Sequence, residues 1–341
     1  MKQLLFLKLV MLSLMTPLSG FAAVILQYHH VSSETPPVTS ISPEQFLQHM
    51  TYLKDNHFKV VRLEVLVDKI RKKQPIDDKT IVITFDDAYN NVYQNARPIL
   101  KKFDWPYTVF INPKYSDKGY SRHMTWKQLN QIAKEKATLA NHTLSHDYLV
   151  RNPSNRPPKR WLYQMLDDIE LAESRLKAIT GQNHKMLAYP YGEFSLALTR
   201  QLMKRGYVGF GQHSGAVGHY TNLARIPRFP ASGIYANLDK LKLKMESLPF
   251  AIKALGNADM VIKQNPPTLT IAVKVEDFLA KNVQCFIGSA RAKVSWTSED
   301  RFTVTSPNPL PKERSRYNCT APSISKPGRF YWFSQPWLNL L

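Results

Sequence analysis

The sequence predicts an α/β protein: a deformed (β/α) barrel followed by a small all-β, sandwich-like C-terminal domain. Three observations carry this. Short apolar runs alternate with amphipathic stretches from Ala23 to about Ser247, several of the runs are apolar along their whole length, and past Ile262 the pattern becomes short strand-like runs broken by turn residues. Near-continuous apolar strands alternating with helices indicate a parallel sheet covered by helices, closed or nearly closed, with its chemistry at the strand C-terminal ends.

The chain opens on "MKQLLFLKLVMLSLMTPLSGFAAV", with Lys2, an apolar stretch interrupted by Lys8, and small residues at Gly20, Ala22 and Ala23. This is the layout of a secretory leader, residues 1–22, with cleavage expected after Ala22. The alternative, a membrane anchor, is disfavoured because Leu9 to Phe21 is short for a span of about 20 residues. No later stretch reads as a transmembrane segment, so an exported mature chain, periplasmic or secreted, is expected.

Expected strands and helices then follow in order. "AVILQYHHV" reads as a strand, and "SPEQFLQHMTYLKDNHF" as a helix with Ser42 as its cap and Pro43 in its first turn. "TIVITF" and "PYTVFIN" read as strands flanking the helix "NNVYQNARPILKKF". "TWKQLNQIAKEK" is a helix, "ATLANH" a strand, and "WLYQMLDDIELAESRLKAITG" a long helix stopped by Gly181. Arg151 to Arg160, rich in Pro and Arg, reads as the loop before it. "KMLAYPYG", "SLALTRQLMKRG" and "YVGFG" repeat the strand and helix unit. The expected organisation is a catalytic domain over residues 23–250 and a β-rich domain over residues 262–341.

That C-terminal part contains both cysteines, Cys285 and Cys319, which fit an oxidising compartment and one bridge. It ends on "GRFYWFSQPWL", where strand alternation would send one set of aromatic rings to the β core and leave the other as a flat strip able to stack on sugar. Packing of these rings in the core or against the barrel is the competing expectation.

Composition narrows the partners. The 341 residues carry 46 Lys and Arg against 26 Asp and Glu; without Lys2 and Lys8 the mature chain keeps a formal charge of +18. Such a surface suits anionic envelopes or polymers. No zinc-finger, RNA-recognition or recognition-helix pattern accompanies the charge, so nucleic acid is not the expected partner.

Chemistry concentrates in three stretches. "TIVITFDD" ends an apolar strand on two adjacent carboxylates, Asp86 and Asp87, which repel unless a positive charge sits between them or one holds a proton. "LANHTLSHDYL" follows another strand and spaces His142 and His146 four apart; on a helical turn both imidazoles would share a face. Two His and one Asp make a three-ligand site of the kind that leaves positions open for catalysis. "AYPYGEF" follows a third strand, and its Pro190, Tyr191 and Gly192 make a rigid turn able to present a backbone N–H to an oxyanion. Alone, each of these has a bland reading: turn chemistry, surface or core histidines, an ordinary Pro-Gly loop. Together, each just after a predicted parallel strand, they point to one site.

The ordered set "TFDD", "HTLSH" and "YPYG" resembles the polysaccharide deacetylases of carbohydrate esterase family 4, the NodB-homology family, over about Val24 to Pro230. "LQYHHV" and "YPYG" look most similar to its exported poly-N-acetylglucosamine deacetylase branch. The resemblance implies one divalent metal ion, usually zinc, held by Asp87, His142 and His146, with Asp86 as the general base that activates water. It implies that the Tyr191 N–H helps hold the oxyanion. The family's Arg three residues before the Tyr of the third motif is here Ala188, and its late general-acid His has no clear counterpart. His29 in "QYHHV" is the preferred acid, with His213 in "GFGQHSG" as the alternative; His30 would point to the opposite face. Arg225 and Arg228 in "ARIPRFP" are candidates to replace the missing Arg, a structural ion pair being the favoured expectation for them. Tyr89, Trp126 and Tyr191 are candidates to stack on sugar rings. The function implied is removal of acetyl groups from a polysaccharide, N-deacetylation of an N-acetylglucosamine-containing glycan first. The alternatives are an O-acetyl polysaccharide esterase and a catalytically silent glycan-binding protein.

Overall fold

The computed structural model describes residues 22–341 except 153–154; apart from Ala22, the expected leader lies outside these residues. The first two thirds of the chain build one curled sheet of eight strands, all parallel. Across the sheet the strands run Phe229–Pro230, Ala23–Tyr28, Thr80–Phe85, Tyr107–Ile111, Ala137–Asn141, Met186–Ala188 and Val208–Phe210, with Lys59–Val60 added beside the start of Thr80–Phe85.

The unbroken apolar strands are explained by burial on both faces. Val24, Leu26, Tyr28, Ile81, Ile83 and Phe85 pack into one core cluster, while the intervening Ala23, Ile25 and Val82 pack into another with Phe110, Ala140 and Phe210. Successive side chains alternate between faces, so a strand with no polar face fits only a sheet covered on both sides. The curl is joined through the loops after Phe210: Gly209 donates to Leu223 O, Ile226 to Gly209 O and Gly211 to Ile226 O, at 2.8, 2.8 and 2.9 Å. The barrel is therefore deformed and only loosely closed.

Helix boundaries follow their local chemistry. Ser42 and Gln45 form a reciprocal capping box with Pro43 in the first turn, and Thr125 and Gln128 form a second. Gly181, at φ 75°, stops the helix Pro158–Thr180. Two expectations need correction. The stretch to Arg160 is not loop throughout, because Pro158 begins the helix; a proline is tolerated there since a first-turn N–H has no intrahelical partner. The segment after Asn91 enters its helix through a wide π-helical turn, Val92–Ala96, just ahead of Pro98.

The C-terminal part consists of two sheets around their own core, antiparallel except where Leu248–Pro249 pairs in parallel with Phe330–Asn339, a sandwich as expected. One contains Leu248–Pro249, Phe330–Asn339, Glu313–Pro322, Gln284–Ile287 and Ala290–Arg291; the other contains Ala251–Gly256, Thr268–Lys274, Arg301–Thr305 and Lys293–Ser298. Its first edge strands thus lie upstream of Ile262. Cys285 and Cys319 are directly opposite one another on neighbouring strands and are joined by a disulfide.

The aromatic run of the last strand does not form an exposed strip. Tyr331, Phe333 and Trp337 face the β core, whereas Trp332 packs edge-on against Phe229 of the barrel, ring centroids 5.4 Å apart. One alternation serves the core and the other serves docking, which leaves only Phe330 substantially exposed. The two parts are also tied by Asp78, which accepts from Lys326 and from both Arg329 amino groups, and by Arg225, which donates to Gln335. Among the described residues no helix is long and apolar enough to cross a membrane.

Candidate metal and catalytic site

The expected site residues come from the C-terminal ends of parallel strands of the one sheet. Asp86 and Asp87 follow Thr80–Phe85, His142 and His146 follow Ala137–Asn141, Tyr191 follows Met186–Ala188, and His29 follows Ala23–Tyr28. Pairing of those strands in register therefore brings together side chains more than a hundred residues apart.

Asp87, His142 and His146 form a group whose donor atoms all lie within 4.8 Å of one another. Asp87 Oδ1 is 3.3 Å from Nε2 of each histidine. Asp87 Oδ1 and His142 Nε2 are buried yet have no hydrogen-bond partner, an arrangement that costs free energy unless a further group satisfies it. Nδ1 of His142 lies 2.8 Å from Ala188 O; a carbonyl only accepts, so Nδ1 carries the proton and Nε2 presents a lone pair. His146 is pushed down to about 4, by burial and then by His142, which keeps its imidazole neutral. Burial opposes charge on His142, but Asp87 and Asp86 outweigh it and raise its pKa, a measure of how strongly this point attracts positive charge. Two imidazole nitrogens and a carboxylate oxygen converge here, the His142 nitrogen and the Asp87 oxygen without partners, and they fit a divalent cation; the donor set suits zinc.

The His pair is not on a helical turn. Thr143 and His146 adopt left-handed φ values of 67° and 60°, so the segment loops back on itself. Three local bonds hold that loop: Asn141 Oδ1 accepts from Thr143 N, Thr143 Oγ1 accepts from His146 N, and the Asp168 carboxylate accepts from Leu144 N, at 2.8, 2.9 and 2.8 Å. Asn141 is in turn anchored by donating to Ile169 O and Glu173. The four-residue spacing was informative, although the backbone that realises it is a turn.

Asp86 is completely buried and is held as an anion. Arg228 donates to it twice, Nη1 to Oδ1 at 2.7 Å and Nη2 to Oδ2 at 2.8 Å, and Gln27 Nε2 donates to Oδ2 at 2.7 Å. Burial alone would raise this carboxyl; Arg228 first, then His142, outweighs it and brings the pKa to about 2. Of Arg225 and Arg228, both expected to form a structural ion pair rather than replace the Arg missing at Ala188, Arg228 is the one that pairs with Asp86. Arg225, by contrast, is buried against Gln335 and Ala258 O at the junction with the β domain.

His29 Nε2 stands 3.9 Å from Asp86 Oδ2, at the edge of the site and partly exposed. His30 turns away, stacked on Tyr89 at 3.6 Å and bonded to Asn91. His213 is buried beside Phe194 and the Gly211 backbone, among groups that drive its pKa well down, burial first and then Arg225. It shares no contact with Asp86, Asp87, His142 or His146, so the structure brings His29, not His213, to the carboxylates.

Tyr191 lies over the triad, its ring 4.8 Å from that of His146 and stacked on Tyr148 at 4.1 Å. Its backbone is left-handed, φ 58°, ψ 6°, which makes the Pro190 turn sharp. Tyr89 is also at the site, its phenol raised by burial and by Asp87. Trp126 instead donates to Asp117 and sits under Arg175 at the start of its helix.

Sequence reasoning missed several supporting residues. His123 Nδ1 donates to the backbone carbonyl of Asp87 at 2.8 Å, supporting a residue whose own φ is 69°. Asn112 donates to His142 O and Thr143 O. Only Gln27 carried a signal, as a lone amide inside an apolar strand; His123 and Asn112 carried none.

The family model described as polysaccharide deacetylase matches residues 73–210, the span that holds both carboxylates, both histidines and Tyr191. Poly-beta-1,6-N-acetyl-D-glucosamine N-deacetylase of Staphylococcus aureus (strain MRSA252) is 26% identical over 231 residues, 61% of this chain and 78% of that protein. The protein of the same name from Escherichia coli (strain K12) is 24% identical over 249 residues, 62% of this chain and 36% of the longer relative. In fold, the chain is similar to a Streptococcus pyogenes deacetylase, PplD, solved in complex with acetate, with a TM-score of 0.58 and 22% identity over 66% of this chain and 98% of that one. The chain thus carries a polysaccharide deacetylase domain.

Proposed function

We propose that this polysaccharide deacetylase domain hydrolyses the N-acetyl amide of an N-acetylglucosamine-containing polymer outside the cytoplasm, using a divalent cation, preferably zinc, bound by Asp87, His142 and His146. One observation carries the reading most: a buried carboxylate anion, Asp86, fixed by Arg228 beside a converging set of ligand atoms, those of His142 and Asp87 without partners. A glycan-binding module has no need of both. The names of the Staphylococcus aureus and Escherichia coli relatives support the choice of polymer.

When bound, the cation would polarise the acetyl carbonyl and lower the pKa of water at its open positions. Asp86 is the general base. A carboxylate offers about four lone-pair positions; Arg228 takes two and Gln27 a third, leaving one for the proton of the attacking water. The fixed Arg228 pair keeps Asp86 ionised and aimed, at the expense of basicity. As the new C–O bond forms, the carbonyl oxygen gains charge, and the Tyr191 N–H is placed in this reading to receive it. His29, close to Asp86 and in reach of solvent, donates a proton to the leaving nitrogen as the C–N bond breaks. One water is consumed: its oxygen ends in acetate, the proton taken by Asp86 is passed on to restore His29, and the sugar nitrogen leaves as an ammonium, so that atoms and charge balance.

The reading is tested by acetate release from β-1,6-linked poly-N-acetylglucosamine, chitooligosaccharides and acetylated xylan, using the zinc-loaded mature chain beside Asp86→Asn. Release from the amide polymers that disappears in the variant supports it. Release from xylan alone would make the protein an ester hydrolase, and a zinc-loaded, folded protein inert on all three would remove the proposal.

A further inference from the structure

We propose that Arg314, on the C-terminal β domain, is a positioning residue for the Tyr191 turn, so that the second domain completes the catalytic face of the first. The inference rests on the deacetylase reading above, and within it on the role given to the Tyr191 N–H.

Tyr191 is held at φ 58°, ψ 6°. Such a left-handed conformation is strained for a residue that carries a side chain, and it persists only where its surroundings over-determine it. Pro190 restrains the turn on one side through its fixed ring. On the other, Gly192 is obligatory: at φ 71° a Cβ would stand 2.7 Å from Gln212 Cβ.

What remains free is the carbonyl of Tyr191 itself, and Arg314 Nη1 donates to it at 2.9 Å. The same guanidinium lies 5.7 Å from the centre of the Tyr191 ring, and its Nε is 3.8 Å from Glu193 Oε1. Glu193 is a wholly buried carboxylate two residues further along the turn. Arg151 neutralises it, Nε to Oε2 at 2.8 Å and Nη2 to Oε1 at 2.5 Å, and also pairs with Glu313 at 2.5 Å.

Glu313 and Arg314 are neighbours at the start of one strand. One strand end of the β domain therefore grips both the Tyr191 turn and, through Arg151, the loop that follows the two metal-binding histidines. That strand is a firm mount, since Glu313–Pro322 pairs with Phe330–Asn339 along its whole length and carries Cys319 of the disulfide. Arg151 also lies over the Tyr148 ring that stacks on Tyr191, so ring, carbonyl and carboxylate of the turn are held by connected groups.

The test uses the full mature chain with Arg314→Ala, Arg314→Lys, and Arg291→Ala as a control for lost surface charge on a distant strand. Expected for Arg314→Ala is about a tenfold fall in kcat with KM within about twofold, a thermal midpoint close to wild type, and faster amide exchange in the peptide spanning 190–193. Arg314→Lys, which can still donate to the carbonyl, should recover most of the loss, and Arg291→Ala should match wild type. A folded Arg314→Ala protein with wild-type kcat, or with unchanged exchange at 190–193, overturns the proposal, as does an equal loss in Arg291→Ala. If wild type releases no acetate from any substrate, the deacetylase reading fails by itself; the exchange measurement then still decides whether Arg314 holds the turn.

Discussion

Arg228 meets Asp86 across 142 residues of sequence with both amino groups, at 2.7 and 2.8 Å, and neither side chain touches solvent. A paired guanidinium fixes a carboxylate in direction as well as in charge, which a lone lysine cannot do. The pair sits next to the Asp87, His142 and His146 donors, so one carboxylate of the Asp-Asp step is compensated by arginine and the other belongs to the candidate cation site.

Removing Arg228 leaves a buried, uncompensated anion, for which about 3 to 5 kcal/mol of destabilisation is expected. Arg228→Ala should therefore lower the denaturant midpoint sharply. Arg228→Lys should fold better yet recover little kcat, because it restores charge without the two-point grip. Equal stability of Arg228→Ala and wild type in urea would contradict the buried pair.

Zinc should stabilise the wild-type chain by mass action, about 4 kcal/mol at a thousandfold excess over its dissociation constant. Asp87→Ala or His142→Ala should abolish that rise in thermal midpoint and the binding heat in calorimetry. Asp86→Asn should keep most of both while losing acetate release. The decisive contrast is metal binding retained with activity lost, because Asp86 is bonded to Arg228 and Gln27, not placed among the ligand atoms.

The docking of the two domains should weaken in acid through Asp78. Burial opposes ionisation there, but Arg329 and Lys326 outweigh it and bring the pKa to about 2, below the ordinary 3.8. A folded-state pKa below the unfolded one gives stability that is complete above about pH 4 and is lost as pH falls towards 2. Since Asp78 is about one-third exposed, solvent screening reduces the gain to roughly 1 kcal/mol. Asp78→Asn should be less stable than wild type at pH 6 and should converge with it near pH 2, as read from urea midpoints across that range.

The Cys285 and Cys319 bridge spans 34 positions and joins facing strands. In the chain-entropy account, closing such a loop stabilises by roughly 3 to 4 kcal/mol. A Cys285→Ser, Cys319→Ser double variant should lose an amount of that order in the unfolding of the C-terminal sheets. Identical urea midpoints for oxidised wild type and the double variant would refute it.

The sequence by itself determined the alternation of strands and helices, the all-β character of the last part and the candidate cluster of Asp87, His142 and His146. Continuous apolar runs such as "TIVITF" need cover on both faces. "DD" and "HTLSH" each follow a strand of the one parallel sheet, which carries them to the same face. These are local or periodic requirements, written within a few residues of each other.

Tertiary structure alone decided which groups reach across the chain. Nothing around "ARIPRFP" tells that Arg228 rather than Arg225 would meet Asp86, or that Arg314 of the last domain would meet the Tyr191 carbonyl. The backbone that puts His142 and His146 together is likewise set by bonds from Asn141, Thr143 and Asp168, not by helical spacing. The aromatic strand could serve sugar or core by its alternation, and the barrel surface offered by Phe229 settled it for docking. A charged side chain is indifferent to sequence distance; what selects its partner is the cost of burying either one alone, and that cost exists only after the sheets have packed.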